Sequence, residues 1–492
     1  MIKNISALKR ERGLFKALVI SFLFLIVISS GLFAQGKQDK NKQWNIVLFI
    51  ADDLSVNDIG PYGNKVVRTP YLDEFDQKSM RFSQAFAGSP TCGPSRSSIL
   101  TGLLPFRHGG HSNHSGVRPG TYSIIQHLKP LGYKVAIAGK LHVGPAEVFP
   151  FEKIAHTNVP EPGFENRPGL HHDLNLGPVD KWLSGQKKSN EPFMLVVADH
   201  SPHVIWPEDA SYEPDEMDVP SKHIDTKDTR FSRARYYTDI TKMDKNFGHL
   251  LQSIKENGLE ENTIIIFTSD QGPQWPFAKW TLYDEGIQVP LMVHWPGKTN
   301  QSMHTNALVS HVDLFPTFMD ILGGDVPKDL DGSSFMPVLA GEKFSHREYV
   351  YASHTGDGKM NRSPSRMIRT DRYKYILNLA PEILYTTHMD KSKNHDGGKQ
   401  YWNSWVDASY KDEHAANVLW RYHNHPREEL YDIQRDPQET VNLAEDPAYQ
   451  ALMDSFRKNM ETWRKGQGDF ETGPEALDNK QPGGKPVAPY VF

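Results

Sequence analysis

Five short apolar runs, each ending in polar residues, constrain the fold of this 492-residue chain more than any other feature. The runs cover residues 45–51, 134–138, 193–198, 263–268 and 290–294. Near-continuous apolar runs of this length are typical of strands that are buried on both faces. Between them, apolar residues from Tyr236 to Ile254 recur at helical spacing and predict a helix that ends near Gly258. The chain is therefore predicted to be an α/β protein with helices on both faces of a central sheet.

Polar residues follow four of these runs at the point where each predicted strand ends. They are Asp52-Asp53, Gly139 to His142, Asp199-His200 and Ser269 to Gln271. In open α/β sheets, ligands bind just beyond the carboxyl ends of the strands. We therefore expect these four groups to converge on one rim and to form a ligand site there.

The N-terminal residues 1–34 have the pattern of an export signal. Basic residues are followed by the apolar run 17–28 and by small residues up to Ala34, after which we expect cleavage. An uncleaved membrane anchor is the alternative, but the run is short for a span of about 20 residues. No later segment is apolar enough to cross a bilayer, so we expect a periplasmic or secreted protein without an integral membrane span.

Charge and cysteine content exclude some classes of protein. The formal net charge of −5 gives the protein no overall positive potential that would attract a nucleic acid. The chain has one cysteine, Cys92, and so cannot form an intramolecular disulfide. A lone cysteine is more often a small buried apolar residue than a functional group, and its role must be decided from its neighbours.

Those neighbours form a specific motif. Residues 92–102 read Cys-Gly-Pro-Ser-Arg-Ser-Ser-Ile-Leu-Thr-Gly, which resembles C-x-P-S-R-x-x-x-L-T-G of the type I sulfatases at every fixed position. The resemblance implies that a formylglycine-generating (sulfatase-maturing) enzyme oxidises Cys92 to formylglycine (3-oxoalanine), the catalytic nucleophile. It also implies an alkaline-phosphatase-like fold, with a large mixed central sheet between helices and a smaller C-terminal α+β subdomain.

The modification has a chemical reason. An unmodified serine or cysteine that attacked sulfur would form a stable ester, whose hydrolysis is a second difficult step. A hydrated aldehyde avoids this, because one hydroxyl attacks and the other loses its proton, which expels sulfate and restores the aldehyde.

Three carboxylates on the predicted rim suggest a metal site. Asp52, Asp53 and Asp270 would repel one another unless a hard cation lay among them, and oxygen ligands favour calcium over zinc. The alternative for Asp52-Asp53 is a helix or turn cap. The resemblance places these three residues, Cys92 and Gln271 on one Ca²⁺. Gln271 departs from the family, which has asparagine or histidine at that position, so that a direct or a water-bridged contact is possible.

Cationic and histidine side chains match the family positions that hold the formylglycine or the sulfate. By resemblance, Arg96 and Lys140 steady the formylglycine, His142 deprotonates its second hydroxyl, and His203 or Lys279 protonates the leaving group. We rank His200 second for that last role and assign it to substrate binding. The spacing of His108, His111 and His114 around Gly109-Gly110 argues against a helical metal site, and favours a loop whose His114 contacts substrate.

Beyond about Phe344 the apolar runs give way to short segments of alternating apolar and polar residues. We therefore expect a catalytic domain, residues 44–344, and a C-terminal subdomain with a small antiparallel sheet, residues 345–492. Within the second, we expect a polar loop from His388 to Lys411. His354 and Arg366 could reach the glycan next to the sulfate, although each could also be structural. The segments 139–151 and 429–443 resemble the N-sulfoglucosamine sulfohydrolase (sulfamidase) branch, which also contains bacterial polysaccharide sulfatases.

Several functions remain open at this stage. We favour a sulfatase that acts on the sulfate esters of a sulfated polysaccharide or oligosaccharide, with an algal glycan such as ulvan ahead of N- or O-sulfated glucosamine of heparin and heparan sulfate. The nearest enzymatic alternative is a phosphonate monoester or phosphodiester hydrolase of the same superfamily. A non-catalytic glycan-binding protein is the alternative of a different class, and Gln271 is the feature that supports it.

Overall fold

The computed structural model describes residues 43–160, 172–299, 301–357, 361–391 and 399–472. The predicted signal peptide, residues 1–34, lies outside the described residues. Among the described residues, no helix has both the length and the apolar character needed to cross a membrane.

The five apolar runs all form strands of one eight-stranded sheet. From edge to edge the strands are Met303–Thr305, Met80–Phe82, Leu291–His294, Thr263–Ser269, Asn45–Ala51, Phe193–Ala198, Lys134–Gly139 and Glu152–Lys153. Leu291–His294 is antiparallel to both of its neighbours, and the other pairs are parallel. The prediction of a large mixed sheet is confirmed.

Side chains of the central strand Asn45–Ala51 alternate between two apolar cores, one on each face of the sheet. Val47 and Phe49 pack in the core that contains the long helix Lys227–Glu256. Ile46 and Leu48 pack in the opposite core, with residues of the helices Cys92–Thr101 and Leu314–Ile321. Both faces of the strand are buried because helices cover both sides, which explains its continuous apolar sequence.

A second, four-stranded antiparallel sheet lies in the C-terminal part of the chain. Its strands are, in order, Val350–His354, Ser365–Arg369, Tyr373–Asn378 and Glu428–Asp432. The helix Gln450–Gln467 packs on this sheet through Met453 and Phe456, which share a small core with Ile368 and Leu430. The prediction of a smaller C-terminal α+β region with an antiparallel sheet is therefore confirmed.

The prediction of a polar loop from His388 to Lys411 is wrong for the described residues. Helices form at His388–Lys391 and Lys399–Ser409. Tyr401, Trp402 and Trp405 of the second helix are buried in the core that covers one face of the large sheet. Burial of three aromatic side chains stabilises a helix in a segment that reads as polar overall.

The remaining elements connect these layers. Two short strand pairs are Ala85–Phe86 with Val309–Ser310 and Asn158–Pro160 with His172–Leu174. The other α-helices are Pro70–Asp76, Pro105–His108, Ile124–Leu128, Gly177–Ser189, Asp284–Ile287, Met336–Leu339 and Glu413–His423. Short 3₁₀ helices are Val56–Asp58, Gly60–Tyr62, Lys129–Leu131, Pro214–Glu216, Glu260–Asn262, His311–Asp313 and Pro447–Tyr449.

Candidate active site

Cys92 is the first residue of the helix Cys92–Thr101, and its side chain is buried. The preceding residue, Thr91, has an extended backbone and occupies the N-cap position without a capping hydrogen bond from its side chain. Pro94 fits in the first turn, where the backbone N–H groups have no partner within the helix. Gly102 ends the helix with a φ of +67°, a conformation that favours glycine. The sulfatase-like motif is therefore one short helix with Cys92 at its N-terminus.

The aspartates lie where two adjacent parallel strands end. Ala51 pairs with Ser269, so Asp52-Asp53 and Asp270-Gln271 leave the sheet side by side. The backbone N–H of Asp53 donates to Oδ1 of Asp270 at 3.1 Å. The sulfur of Cys92 lies 3.6 Å from Oδ1 of Asp52 and 4.0 Å from Oδ1 of Asp53. The structure thus brings Cys92 and the aspartates together at the expected rim.

Each of the three carboxylates contacts at least one buried cation. Arg96 Nε donates to Asp270 Oδ2 at 2.8 Å, and Lys279 Nζ donates to Asp53 Oδ2 at 2.7 Å. Lys140 Nζ donates to Asp52 Oδ2 and lies 3.9 Å from the sulfur of Cys92. The three cations predicted as catalytic therefore surround the nucleophile and compensate the buried carboxylates.

Burial and charge act in opposite directions on the acids of the site. Burial raises the pKa of Asp270 to about 7 despite the charge of Arg96. For Asp52, burial is outweighed by the nearby positive charges of Lys140, Arg96 and Lys279, which hold its pKa well below the usual value. Burial also raises the pKa of the Cys92 thiol to about 12. An unmodified Cys92 is therefore protonated at neutral pH and is a poor nucleophile.

The residues present fit a hard divalent cation. Asp52, Asp53, Cys92 and His203 each have a potential ligand atom, and these atoms all lie within 4.8 Å of one another. Nε2 of Gln271 donates to Asp53 Oδ1 and lies 3.2 Å from the Cys92 sulfur. Oε1 of Gln271 is buried without a hydrogen-bond partner among the described residues. Rotating this amide by 180° would turn Oε1 toward the carboxylates, as an oxygen ligand for calcium requires.

His203 and His142 flank the same centre. Nδ1 of His203 donates to the carbonyl of Val204 at 2.5 Å, and Nε2 lies 3.7 Å from Asp53 Oδ2. Burial, followed by the charges of Lys279 and Lys140, lowers the pKa of His203 well below its usual value. Burial and Lys140 also lower the pKa of His142. Both imidazoles are therefore neutral at neutral pH, and His142 can accept a proton.

The residues predicted to bind substrate have different environments. His200 Nε2 hydrogen-bonds Oδ1 of Asn158 at 2.8 Å, and His114 Nδ1 hydrogen-bonds Oδ1 of Asp357 at 2.8 Å. His354 is buried, with Nε2 bonded to the carbonyl of Asn361. Of these histidines, His354 is buried, whereas the side chain of His114 is partly exposed to solvent.

Arg366, for which a glycan contact and a structural role were both open, lies in a buried ion-pair network. Its guanidinium is fully buried and forms ion pairs with Asp469 at 2.6 Å and Glu471 at 2.7 Å. These contacts favour the structural role, and a contact with the glycan stays a prediction. Asp357, in contrast, was not predicted, because no motif marks it and only the fold brings it to His114.

Two family models match the chain, and so do many curated relatives. Residues 44–324 match the model described as Sulfatase, and residues 272–401 match N-sulphoglucosamine sulphohydrolase, C-terminal. An ulvan-active sulfatase of Formosa agariphila is 33% identical over 433 residues, which cover 87% of this chain and 81% of the relative. Human N-sulphoglucosamine sulphohydrolase is 29% identical, with coverage of 85% and 89%.

Solved structures share the fold at lower identity. A structure in complex with its substrate D-glucosamine-2-N,6-O-disulfate has a TM-score of 0.64 and 20% identity, and covers 88% of this chain and 99% of that chain. A phosphonate monoester hydrolase of Agrobacterium radiobacter has a TM-score of 0.63 and 19% identity, with coverage of 86% and 96%. Because proteins with different names share this fold, function must be argued from the site.

Proposed function

Because this chain belongs to the sulfatase family and is a sulfuric ester hydrolase, we propose that it removes sulfate from a sulfated polysaccharide or its oligosaccharides, with Cys92 oxidised to formylglycine as the nucleophile. One observation carries the proposal: Cys92, in a complete sulfatase motif, begins a helix at the point where Asp52, Lys140 and Gln271 converge on its side chain.

The residues around position 92 are placed to bind an anion and to move a proton. When present, the formylglycine hydrate supplies one hydroxyl for attack on sulfur and a second whose deprotonation releases sulfate. Lys140, 3.9 Å from the Cys92 sulfur, can donate to the side chain at position 92. Arg96 contacts both Asp270 and Asp52 and thereby holds these two carboxylates next to position 92. His142, neutral at neutral pH, would accept the proton of the second hydroxyl.

The proton for the leaving group is proposed to come from the residues next to Asp53. His203 and Lys279 both face Oδ2 of Asp53, at 3.7 Å and 2.7 Å. Although burial lowers it, the pKa of Lys279 is raised overall by Asp53, Cys92 and Asp52, so this ammonium stays protonated. We propose that Lys279, whose ammonium carries the proton, protonates the departing oxygen, and that neutral His203, with its Nδ1 proton on the Val204 carbonyl, lies beside it at the same Asp53 oxygen.

A calcium ion is proposed as the resident metal. Asp52, Asp53, Asp270, Gln271 and the side chain at position 92 would hold it, and Ca²⁺ would supply positive charge where the sulfate oxygens bind. The buried Oε1 of Gln271, which lacks a hydrogen-bond partner among the described residues, supports its inclusion in the ligand set.

The substrate proposal favours an algal glycan such as ulvan. The ulvan-active relative is 33% identical, against 29% for the human sulfohydrolase. The second candidate is N-sulfoglucosamine of heparin or heparan sulfate, which the C-terminal model match over residues 272–401 favours. We also propose that residues 1–34 direct export to the periplasm or the medium, and that a sulfatase-maturing enzyme modifies Cys92.

The test uses protein expressed with and without a formylglycine-generating enzyme. Intact mass of the peptide that contains Cys92 reports the conversion, and sulfate release is measured with ulvan oligosaccharides and with heparin disaccharides. We expect the converted protein to release sulfate from the ulvan oligosaccharides, and the thiol form of the same sequence to be nearly inactive. Sulfate from the heparin disaccharides alone would overturn the preferred substrate.

Two further outcomes would overturn larger parts of the proposal. A much higher kcat/KM for phosphonate monoesters or phosphate diesters than for sulfate esters would identify the phosphoryl hydrolase. If Cys92→Ala matched the activity of the converted wild type, the covalent mechanism would be wrong. Absence of sulfate release from all of these substrates by fully converted, folded protein would favour a binding protein.

A further inference from the structure

The loop from His111 to Ser115 lies directly against the nucleophile helix. Oδ1 of Asn113 accepts a hydrogen bond from the backbone N–H of Gly93 at 3.1 Å. A Cβ atom added to Gly93 would lie 3.5 Å from the backbone nitrogen of His114 and 3.7 Å from the carbonyl oxygen of His142. The residue after Cys92 is therefore enclosed by this loop, and His114 is a neighbour of the reaction centre.

The C-terminal segment Thr355–Asp357 is fastened to the same loop. The carbonyl of Gly356 accepts from the backbone N–H of Asn113 at 3.0 Å and from the hydroxyl of Ser112 at 3.1 Å. Thr355 Oγ1 hydrogen-bonds Nδ1 of His111 at 3.3 Å. Three contacts through Thr355 and Gly356 fix the segment, so that the next residue, Asp357, has a defined position.

The base of this segment is rigid as well. His354, the residue before Thr355, bonds through Nε2 to the carbonyl of Asn361 at 3.0 Å. Its own carbonyl accepts from Nη1 of Arg366 at 2.9 Å, and Arg366 is fixed by Asp469. The two residues predicted to touch substrate therefore support the segment that carries Asp357.

His114 and Asp357 form a pair at the exposed side of the site. Nδ1 of His114 lies 2.8 Å from Oδ1 of Asp357, and the side chains are 31% and 11% exposed. The His114 ring is 4.8 Å from the ring of His142, between their centroids. The pair is thus next to a residue of the reaction centre and partly open to solvent. The hydrogen bond uses one carboxylate oxygen, which leaves Oδ2 able to accept from a ligand.

We propose that Asp357, oriented by His114, determines substrate specificity by accepting a hydrogen bond from a sugar hydroxyl next to the sulfate that is removed. A carboxylate accepts from hydroxyl and N–H groups but repels anions. Glycans with a free hydroxyl at that position are therefore preferred over glycans that carry a second sulfate there. The inference rests on the proposed function and adds the chemistry of the neighbouring sugar position.

The test compares substrates that differ in charge. Ulvan oligosaccharides and heparin disaccharides are each separated by anion exchange into fractions with one and with two sulfates. We measure kcat/KM on both fractions for the wild type, Asp357→Asn and His114→Gln, all with Cys92 converted to formylglycine. In Asp357→Asn, the ratio of kcat/KM for disulfated over monosulfated substrate should rise about fivefold, as expected for a partly exposed charge contact.

The matched control is Asp180→Asn, which removes the carboxylate of another histidine–aspartate pair. His249 Nε2 lies 3.0 Å from Asp180 Oδ2 on two helices outside the site, and this variant should keep the wild-type ratio. His114→Gln should shift the ratio in the same direction as Asp357→Asn, because it loosens the orientation of the carboxylate.

Each outcome separates the inference from the proposed function. A wild-type ratio in folded, active Asp357→Asn overturns the inference alone. The inference also fails if the wild type prefers the disulfated fraction. A wild type that releases no sulfate from either glycan, or from an aryl sulfate, overturns the proposed function instead.

Discussion

Lys279 donates a hydrogen bond of 2.7 Å to Asp53, and both side chains are buried. The same Asp53 lies 3.7 Å from Nε2 of His203 and 4.0 Å from the sulfur of Cys92. One carboxylate thus joins the proposed metal ligands to the residue proposed to protonate the leaving group. Substitution of either Lys279 or Asp53 should therefore affect both metal binding and sulfate release.

We predict that Lys279→Met lowers kcat for sulfate release by about 10²–10³-fold, because it removes a positive charge that stabilises the transition state. It should also lower the melting temperature more in EGTA than in calcium, because a bound cation would compensate Asp53. Loss of one partner of a buried ion pair costs about 3–5 kcal/mol. Thermal unfolding in both solutions measures the effect.

Lys222→Met is the control for this prediction. Lys222 Nζ lies 2.7 Å from Glu285 Oε2 in an equally buried ion pair elsewhere. Its variant should lose the same stability with and without calcium. Equal losses for Lys279→Met in the two solutions would contradict the calcium assignment.

Gln271→Ala should weaken calcium binding by about tenfold or more, as expected for the loss of a supporting oxygen at a metal site. Titration calorimetry with Ca²⁺ gives the affinity without an activity assay. Gln186→Ala, which also removes a buried glutamine, should bind calcium as the wild type does. An unchanged affinity for Gln271→Ala would show that the glutamine is not a ligand.

Arg366→Met and Asp469→Asn should each destabilise the protein by about 3–5 kcal/mol, because they break the same buried ion pair. Denaturant unfolding measures the loss. KM for the glycan should change to the same small extent in both variants. A large rise in KM in Arg366→Met alone would instead make the arginine a substrate contact.

A pH effect is expected from Asp244, a buried residue of the helix Lys227–Glu256 that is not among the proposed site residues. Burial raises its pKa to about 7, although the backbone N–H groups of Leu72 and Tyr71 donate to it. Because the folded pKa is above the unfolded value, its contribution to stability is complete below about pH 4 and is lost as the pH rises through about 7.

Asp244→Asn should therefore be more destabilising at pH 5 than at pH 8, by about 2 kcal/mol. Unfolding by urea at the two pH values measures this difference. Asp228→Asn, on the first turn of the same helix, should show no such change. An equal effect of Asp244→Asn at both pH values would mean that the carboxylate is ionised throughout.

The sequence predicted the large sheet and much of the site for a physical reason. Buried strands must be apolar on both faces, so their ends are visible as abrupt changes to polar residues. Asp52 and Asp270 were found in this way, and the motif after Cys92 identified the family. The long helix was also predicted near its observed end, Glu256, because its apolar stripe has helical spacing.

The C-terminal region was less predictable. The segment from Lys399 to Ser409 reads as polar, yet Tyr401, Trp402 and Trp405 place it as a helix in the core. Arg366 and His354 are residue types found at substrate sites, and only their buried contacts show that they support the neighbouring segment. Burial depends on contacts between residues distant in sequence, which local patterns do not contain.

The sequence by itself determined the α/β class and the sulfatase family, and it singled out Cys92 as the first residue of the family's motif. Apolar runs and an eleven-residue motif are local properties that can be read from the sequence. Only the tertiary structure decided that Asp52, Asp53 and Asp270 are each paired with a buried cation, with Arg96 shared by Asp270 and Asp52. It also decided that Asp357 meets His114, across more than two hundred residues of chain. These contacts join residues that are distant in the chain, and no local pattern in the sequence specifies them.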